Sequence, residues 1–566
     1  MEIIVPAISS RKKLQNIFLL LIILSSQIFS SLNIAKAELK SSQSHFAKIS
    51  RKPIPSNFCK NTPFPSDCEA IYLTGFSTSF PSSKQDLFDH SVQYTIGKAH
   101  WTRTLAHDLS FTSSKRLGAH SETAAIIDCL ELLDDTVDLL SNIVVSRNEV
   151  PKTYRDDDVH TWLSAALTNQ ETCLESLETH RLESEKATMA TSARNLSQLI
   201  TNSLSLYLSS TKSKSGAGAG ARKLLSVGEF PAWVTAGDRQ LLEAPVEEIK
   251  AHAVVAKDGS GSHGTIGAAI DELSASMAEG GRTVIQIKAG TYQEYIKIPT
   301  KQKNVLLVGE GKGKTVIVGN KNSDDGSTTY NSATVGAMGD GFIARDITFV
   351  NSAGPGKHQA VALRVGSDRS VVFRCSVVGY QDTLYTHSKR QFYRDTDIYG
   401  TVDFIFGNSA VVFQSCNISP RKPSSSGLRN FITAQGRSSP DQNTGISIHN
   451  CRISAASDLA PVKSSYQTFL GRPWKQYSRT VIMQSFLDDS INPSGWSPWS
   501  GGFGLKTLFY AEYMNTGPGA STGRRVSWAH ASLTAPEANS FTVAGFIAGN
   551  AWLPSTGVSF DSGLVG

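Results

Sequence analysis

Two aspartates, Asp382 and Asp403, stand twenty-one residues apart in the stretch from Gly379 to Asn408. If they lie on neighbouring parallel strands, about 4.8 Å separates the strands that carry them. Two carboxyl groups this close cannot both ionise freely, so a protonated acid sits beside an ionised carboxylate. Their types and spacing therefore predict a general acid and a nucleophile in one pair.

The neighbours of the two aspartates favour this catalytic interpretation over ordinary loop or ladder positions. Gln381 adjoins Asp382 and has an amide N–H that can stabilise a developing oxyanion. The apolar run Phe404, Ile405 and Phe406 follows Asp403 and would exclude water from it.

The elements that must position the pair are short strands. From Val254 onward, β-branched runs alternate with Gly, Asn and Asp, without long helical crossovers between them. This pattern argues against a βαβ sheet and leaves a sandwich or a β-helix. Phe373, Tyr393 and Phe413 recur at intervals of twenty, which favours an all-β parallel β-helix over 250–566. One amphipathic segment, Ile266 to Met277, is expected to cap its N-terminal end.

The half before residue 211 has a helical pattern instead. Leu130, Leu133, Val137 and Leu140 recur at helical steps, and similar stretches lie near 85–110, 155–180 and 187–208. Together they predict an all-α four-helix bundle over 56–210.

Cysteines divide the chain in the same way, with four before residue 180 and three after residue 370. A bridge between Cys59 and Cys68 would close a Pro-containing hairpin, and one between Cys129 and Cys173 would tie two helices. No Cys-x-x-Cys pair or Cys/His cluster has metal-ligand spacing.

Length and charge set the broad class. At 566 residues the chain is too long for one ordinary domain. Its formal charge of +6 is modest and dispersed, which argues against a nucleic-acid surface and suits a polyanionic partner.

The pattern of the first 37 residues is typical of a secretory signal peptide. A basic flank at Arg11 to Lys13 precedes an apolar run, and Ala35-Lys36-Ala37 offers a cleavage site. A signal anchor is the alternative, but the apolar run is short for a membrane span. We expect a secreted protein without a stable membrane anchor, with a glycan acceptor at Asn195.

A linker over 211–249 joins the two halves. Its Gly/Ala/Ser run from Ser213 to Ala221 cannot hold a packed core. Two basic-Leu-Leu sites follow, at Arg222–Leu225 and Arg239–Leu242.

The motifs GYQDTLY (379–385), GTVDFIFGN (400–408), QAVALR (359–364) and LGRPW (470–474) resemble those of the pectin methylesterases. This resemblance implies a cell-wall enzyme that removes methyl groups from methyl-esterified polygalacturonate without a metal or organic cofactor. Position by position, it implies these roles: Asp403 nucleophile, Asp382 general acid and then base, Gln381 oxyanion contact, Gln359 and Thr329 substrate contacts, Arg472 partner of Asp403, and Trp474 sugar-stacking aromatic.

The N-terminal half resembles the invertase and pectin methylesterase inhibitor family, a four-helix bundle with two bridges of this order. The resemblance implies an inhibitory pro-region and a possible inhibitor-type partner. The basic-Leu-Leu sites resemble those at which a subtilisin-like protease releases the catalytic domain.

One position departs from the pectin methylesterase pattern. Thr396 stands where the family has a cysteine bridged to the position of Cys416. That bridge cannot form here, so Cys416 is either free or paired with Cys375 or Cys451.

Two other functions remain open from the sequence. Paired carboxylates also suit a polyuronate-cleaving β-helix hydrolase, or a lyase if calcium-binding acids and a basic proton abstractor are present. A non-enzymatic role would leave the bundle as a docking module. Gly309–Gly313 lacks the Walker ending, and Gly519–Gly523 lacks the acid and histidine order of serine esterases, so both are interpreted as turns.

Overall fold

In the computed structural model, the described residues are 58–74, 81–114, 120–148, 156–178, 184–212, 249–276, 281–424, 428–530 and 532–566. The chain divides into two compact units, Met1–Lys60 and Asn61–Gly566. Only residues 58–60 of the first unit are described, and the description below concerns the second. The predicted signal peptide and both basic-Leu-Leu sites lie outside the described residues.

The N-terminal helices of the second unit form the predicted bundle. They are α1 (Pro65–Thr74), α2 (Lys84–Ser114), α3 (His120–Asn148), α4 (Asp156–Glu178) and α5 (Ser184–Lys212). Helix α2 packs against α3 and α5, and α4 packs against the same two helices, which closes a four-helix arrangement. No helix of the described residues is long and apolar enough to cross a membrane.

Helix α4 is buried on its polar side as well as its apolar side. Its buried residues include Trp162, Leu163 and Leu167, but also Thr168 and Asn169. An amphipathic helix at a bundle surface would leave its polar residues in water. The burial of both sides shows that the polar residues of α4 face another part of the protein.

The cysteines of the bundle are in disulfides. Cys129 and Cys173 are bridged with their Cα atoms 4.6 Å apart, joining α3 to α4. Cys59 and Cys68 are buried and each is disulfide-bonded. The segment between them is not the expected hairpin, because helix α1 begins at Pro65, where proline favours the first helical turn, and includes Cys68.

Beyond residue 250 the chain forms three parallel sheets, as the β-helix prediction requires. The first sheet contains β1 (Ala253–Val255), β2 (Thr283–Ile287), β5 (Val305–Val308), β8 (Ile343–Arg345), β11 (Ser370–Phe373), β14 (Arg390–Arg394), β17 (Ala410–Gln414), β20 (Gly445–His449), β23 (Arg479–Met483) and β25 (Phe509–Tyr513). The second contains β3 (Gly290–Gln293), β6 (Thr315–Gly319), β9 (Thr348–Asn351), β12 (Ser376–Val378), β15 (Asp397–Gly400), β18 (Asn417–Pro420), β21 (Arg452–Ile453) and β24 (Phe486–Leu487). The third contains β4 (Ile296–Ile298), β7 (Val335–Ala337), β10 (Leu363–Val365), β13 (Leu384–Thr386), β16 (Ile405–Gly407), β19 (Arg429–Gln435) and β22 (Gln467–Gly471).

One short helix caps the N-terminal end of the β-helix, and two others follow its last strand. Helix α6 (Ile266–Ser276) packs on β1, β2 and β4, so the predicted cap is present. Helices α7 (Ala535–Asn539) and α8 (Val543–Ile547) follow the last strand, and α8 packs on β17.

From β8 onward, the chain leaves each strand of the first sheet through one residue with left-handed backbone. These residues have φ between +47° and +60° and are Asp346, Arg374, Asp395, Ser415, Asn450, Gln484 and Met514. A single left-handed residue turns the chain sharply while the apolar residues on either side stay in the interior. The turn repeats at equivalent places along the sequence, which is the origin of the period.

The period is not uniform, and this corrects one part of the sequence interpretation. Tyr393 pairs with Phe413, with ring centroids 4.7 Å apart, but Phe373 pairs with Arg394 rather than with Tyr393. Paired residues of the first sheet are therefore twenty-one positions apart from β11 to β14 but twenty apart from β14 to β17. The reason is that the turn between β16 and β17 is one residue shorter than the turn between β13 and β14. Phe373 lies in a different apolar cluster from the other two rings.

The position of Thr396 is satisfied without a bridge. Its hydroxyl donates to the Arg394 carbonyl at 3.0 Å, and the Cys375 N–H donates to it at 3.4 Å. Cys375, Cys416 and Cys451 are free, buried thiols, and the Cys416 N–H donates to the Cys451 sulfur at 3.3 Å. Of the alternatives for Cys416, the structure contains the unpaired one.

The third sheet presents a straight outer column of side chains. Its members, paired strand to strand, are Lys297, Gly336, Arg364, Tyr385, Phe406 and Ala434. Their chain neighbours Leu363, Leu384 and Ile405 belong to the interior cluster, so alternation places the column outside. Helices α3 and α4 of the bundle pack over this face, which explains the buried polar side of α4.

Candidate active site

Asp382 and Asp403 occupy equivalent turns between the second and third sheets in adjacent coils. Leu384 pairs with Ile405, and the Asp382 N–H donates to the Val402 carbonyl at 3.0 Å. Both aspartates have left-handed backbone, with φ of 59° and 52°. Such backbone is costly in residues other than glycine and is common at functional sites. The twenty-one-residue spacing thus equals one coil here.

Arg472 holds Asp403 from two coils further along. Its Nε donates to Oδ1 at 2.8 Å and its Nη2 donates to Oδ2 at 2.6 Å. The guanidinium lies between two rings, 4.1 Å from the centroid of Phe431 and 4.3 Å from that of Trp499. This fork fixes the orientation of the carboxylate and favours its ionised form.

The two carboxyl groups are placed in different electrostatic environments. Burial and the nearby Asp403 charge raise the pKa of Asp382 well above its usual range, against smaller opposing effects of Arg472 and a Gln381 hydrogen bond. Burial also raises the pKa of Asp403, but the hydrogen bonds and charge of Arg472 oppose the rise directly. The surroundings of Asp382 therefore favour its protonated form, and Arg472 favours the ionised form of Asp403.

The other predicted residues lie in corresponding connections of successive coils. Thr329 precedes β7, Gln359 precedes β10 and Gln381 precedes β13. Gln359 accepts a hydrogen bond from the Ser323 hydroxyl at 2.7 Å, and the N–H of the next residue, Ala360, donates to the Gln381 carbonyl. The structure thus brings Gln381 and Arg472 to the aspartates and places Gln359 and Thr329 on the preceding coils.

The floor beside the aspartates is aromatic; the sequence interpretation named Phe406 and Trp474 but missed Tyr385. Tyr385 and Phe406 stack with centroids 4.2 Å apart, and Trp474 meets Phe406 edge-on at 5.9 Å. A Cβ at Gly436 would lie 2.8 Å from the indole of Trp474, so glycine is required there. The signal was available, since Tyr385 and Phe406 each follow an aspartate by three residues.

Helix α4 covers this floor. Thr172 Oγ1 lies 3.0 Å from His387 Nε2, and Asn408 Nδ2 donates to Thr168 Oγ1 at 2.9 Å. A small pocket remains between helix and floor, lined by Thr168, Glu171, Thr172, Glu175, Tyr385, Asn408, Gly436, Trp474 and Lys475. Trp474 is half-buried, and residues of α4 line the same pocket as its ring.

Charged pairs attach the bundle around the same face. Lys389 Nζ lies 2.8 Å from Asp135 of α3, and Arg390 Nη2 lies 2.6 Å from Asp158 of α4. Each of these β-helix cations also contacts a β-helix carboxylate, Asp340 or Asp368. The bundle thus adds a second acid to cations that already have one.

Known proteins resemble the chain in both halves. The family model "Pectinesterase" matches residues 252–550, and "Plant invertase/pectin methylesterase inhibitor" matches residues 53–206. "Probable pectinesterase/pectinesterase inhibitor 35" of Arabidopsis thaliana is 57% identical over 531 residues, 93% of each chain. "Pectinesterase 2" of Citrus sinensis is 51% identical over 512 residues, covering 90% of this chain and 94% of its own. The solved structure "Pectin methylesterase from Carrot" has a TM-score of 0.54 at 55% identity, covering 56% of this chain and 99% of its own.

Proposed function

Because the chain belongs to the pectinesterase family, whose members are carboxylic ester hydrolases, we propose that it hydrolyses methyl esters of homogalacturonan. In this proposal Asp403 is the nucleophile and forms a covalent acyl-enzyme. The products are pectate and methanol. The observation that carries the mechanism is the pair of hydrogen bonds from Arg472 to Asp403, beside the Asp382 carboxyl group, whose pKa is raised by burial and by the Asp403 charge.

In the first half of the reaction, an oxygen of Asp403 attacks the ester carbonyl carbon. The Gln381 amide donates to the oxyanion of the tetrahedral intermediate. As the C–O bond breaks, Asp382 gives its proton to the departing methoxy oxygen, and methanol leaves. An anhydride then joins Asp403 to the galacturonate.

In the second half, the roles of Asp382 reverse. Its carboxylate takes a proton from water, and the hydroxide oxygen attacks the acyl carbon. The bond to Asp403 breaks, which restores its carboxylate and releases the free galacturonate. Asp382 is protonated again, so the cycle closes without a cofactor.

Methanol release tests this reaction against the two rival polyuronate-cleaving activities. The proposal expects methanol and free carboxylates to appear in equal amounts, with no change in polymer length. New reducing ends would indicate a glycoside hydrolase, and new unsaturated ends would indicate a lyase. Trapping of the acyl-enzyme with hydroxylamine would label Asp403.

Trp474 is proposed to stack on a sugar ring of the substrate. We expect Trp474→Ala to raise the Michaelis constant for pectin several-fold while the melting temperature changes little, because the ring is half-buried at the edge of the floor. Kinetics and thermal unfolding measure the two quantities. Phe431→Ala, which removes a buried ring from beneath Arg472, is the contrasting variant and should lower kcat instead. A large fall in melting temperature with an unchanged Michaelis constant would show that Trp474 is structural.

We further propose that the bundle is autoinhibitory, since helix α4 covers the aromatic floor. Release would follow cleavage by a subtilisin-like protease after Leu225 or Leu242. The linker holds the bundle at an effective concentration that reaches the millimolar range for short linkers, so weak docking suffices. Unchanged N-terminal sequence and activity after Arg222, Lys223 and Arg239 are replaced with Ala would contradict the processing step.

Docking of the bundle is expected to weaken as pH rises. Burial at the interface raises the pKa of Glu171 from 4.5 to about 7, against a Ser438 hydrogen bond and the charge of Lys475. Burial likewise raises the pKa of Asp128 from 3.8 to about 7. Through these two carboxyl groups the docked state binds more protons than the undocked state, so their contribution to docking is largest below about pH 4 and is progressively lost up to pH 7.

The measurement is the activity of the uncleaved chain relative to the cleaved chain between pH 4 and pH 8. This ratio should rise with pH, and Glu171→Gln, which removes one titrating group, should flatten part of the rise. Glu178→Gln, at an exposed end of α4, is the control. A ratio independent of pH would contradict the role of these carboxyl groups.

The resemblance to plant pectinesterases also supports a proposal of secretion to the cell wall, with removal of the first 37 residues. N-terminal sequencing of the extracellular protein tests it. Recovery of the protein only inside cells would contradict it.

A further inference from the structure

The contact of Glu131 with the β-helix differs from the other charged contacts of the bundle in the partners that the β-helix cation keeps when the bundle leaves. Glu131 of α3 places its carboxylate among three donors of the β-helix. It lies 2.9 Å from the Tyr330 hydroxyl, 3.2 Å from Arg364 Nη2 and 3.5 Å from Lys297 Nζ. Arg364 and Lys297 belong to the outer column that leads to the aromatic floor.

The donors are held in place by the β-helix itself. Arg364 donates from Nε to the Tyr330 carbonyl at 3.1 Å, and its guanidinium carbon lies 3.4 Å above the Tyr330 ring. Its Nη1 contacts the Met338 sulfur at 3.1 Å. Gly336 provides the space, since a Cβ there would lie 2.8 Å from Nη2. The arrangement therefore does not depend on the bundle for its shape.

Arg364 does depend on the bundle for its charge balance. Its side chain is 1% exposed, and the carboxylates that act on it, Glu131 and Asp128, both belong to α3. This separates it from Lys389 and Arg390, which keep a β-helix carboxylate when the bundle leaves. Once Glu131 and Asp128 depart, the buried guanidinium of Arg364 is strongly favoured to take another anion.

The recess formed by Arg364, Tyr330 and Lys297 lies at a fixed distance from Asp382 and Asp403, and this distance indicates which anion it can bind. Its centre lies over β7, between Lys297 and Arg364, two strands from β13 and three from β16. At about 4.8 Å between strands, this is about 10 to 14 Å from the catalytic turns. A polygalacturonate chain bound along the column carries a carboxyl group on every sugar, so one of them falls in the recess a few sugars from the reacting ester.

We propose that Arg364, Tyr330 and Lys297 form a subsite for the ionised carboxylate of an already demethylated galacturonate, which Glu131 occupies in the docked bundle. This deepens the proposed function and rests on it. A methyl ester at this position would bury Arg364 without a counter-charge, whereas a free carboxylate restores the contacts that Glu131 makes. The enzyme thus prefers esters a few sugars away from a site where it has already acted.

The experiment uses the secreted protein as purified and two pectins of equal chain length. One is almost fully methyl-esterified, and the other is partly demethylated at random. We expect kcat/KM per ester to be about tenfold higher, or more, on the partly demethylated pectin. This is the factor that a hydrogen bond between charged groups typically contributes. In Arg364→Gln this ratio should fall close to one, mainly through loss of rate on the partly demethylated substrate.

Two further variants make the result decisive. Lys297→Gln, whose side chain is half-exposed, should fold normally and reduce the ratio by a smaller factor. Arg374→Gln, on the opposite turn and paired with Asp346, should leave the ratio unchanged. Normal methanol release with an unchanged ratio in both Arg364→Gln and Lys297→Gln would overturn the subsite, and so would an equal loss on both pectins. Absence of methanol release from the unmodified protein would instead refute the proposed function.

Discussion

Asp403→Asn is expected to reduce methyl-ester hydrolysis by about 10²- to 10⁴-fold, the range typical of losing a catalytic carboxyl group. An amide cannot attack the ester carbonyl, and it also lacks the charge that Arg472 binds through both of its donors. The measurement is initial-rate methanol release, with circular dichroism to show that the β-helix is intact. Asp382→Asn should give a similar loss, because an amide cannot protonate the departing methoxide.

The matched control is Asp397→Asn, in the strand that precedes Asp403. Asp397 pairs with Lys312 at 2.9 Å on the second sheet, away from the aromatic floor, so its replacement should leave the rate nearly unchanged. The pH profile supplies a second check. The unmodified enzyme should lose activity in acid as Asp403 takes a proton, and in base as Asp382 loses its own. A folded Asp403→Asn protein with near-normal turnover would refute the assignment.

Thr168→Arg is expected to raise the activity of the uncleaved chain. Thr168 is 4% exposed and lies between α4 and the β-helix, where its hydroxyl accepts from Asn408 at 2.9 Å and from Gln442 at 3.3 Å. A larger side chain in such a packed position costs about 1–3 kcal/mol, which multiplies a small undocked fraction by about 5- to 150-fold. Methanol release by the uncleaved protein reports this fraction directly.

Thr191→Arg provides the control for this variant. Thr191 lies on α5, is exposed, and bonds only within its helix through the Ala187 carbonyl. The same substitution there should leave the activity of the uncleaved chain as it is. If Thr168→Arg is folded, uncleaved and no more active than the unmodified chain, docking of the bundle does not control access to the aspartates.

Several features followed from the sequence by itself because they depend on local pattern. The helical steps at Leu130, Leu133 and Leu140 specify the bundle, since residues three and four apart share a helix face. The interval between Asp382 and Asp403 specifies neighbouring coils, since a solenoid repeats its turns at a nearly fixed length. The residue types beside that pair also suggested Gln381, whereas Arg472 was suggested by the resemblance of the LGRPW motif.

Other features depended on distances that no local pattern encodes. The sequence interval of twenty suggested that Phe373 aligns with Tyr393, but the length of one turn changes the register. The aromatic floor of Tyr385 and Phe406 required knowing which strand positions face outward.

The contact between the two halves was the least accessible to sequence reasoning. Glu131 and Arg364 are 233 residues apart, and each looks like an ordinary surface charge when considered alone. Only tertiary structure decides that α3 and α4 turn their polar sides toward the third sheet, because that choice depends on the complementarity of two complete surfaces. The sequence by itself determined the two folds and placed Asp382 and Asp403 on neighbouring coils, whereas the packing of one fold on the other decided what the bundle covers.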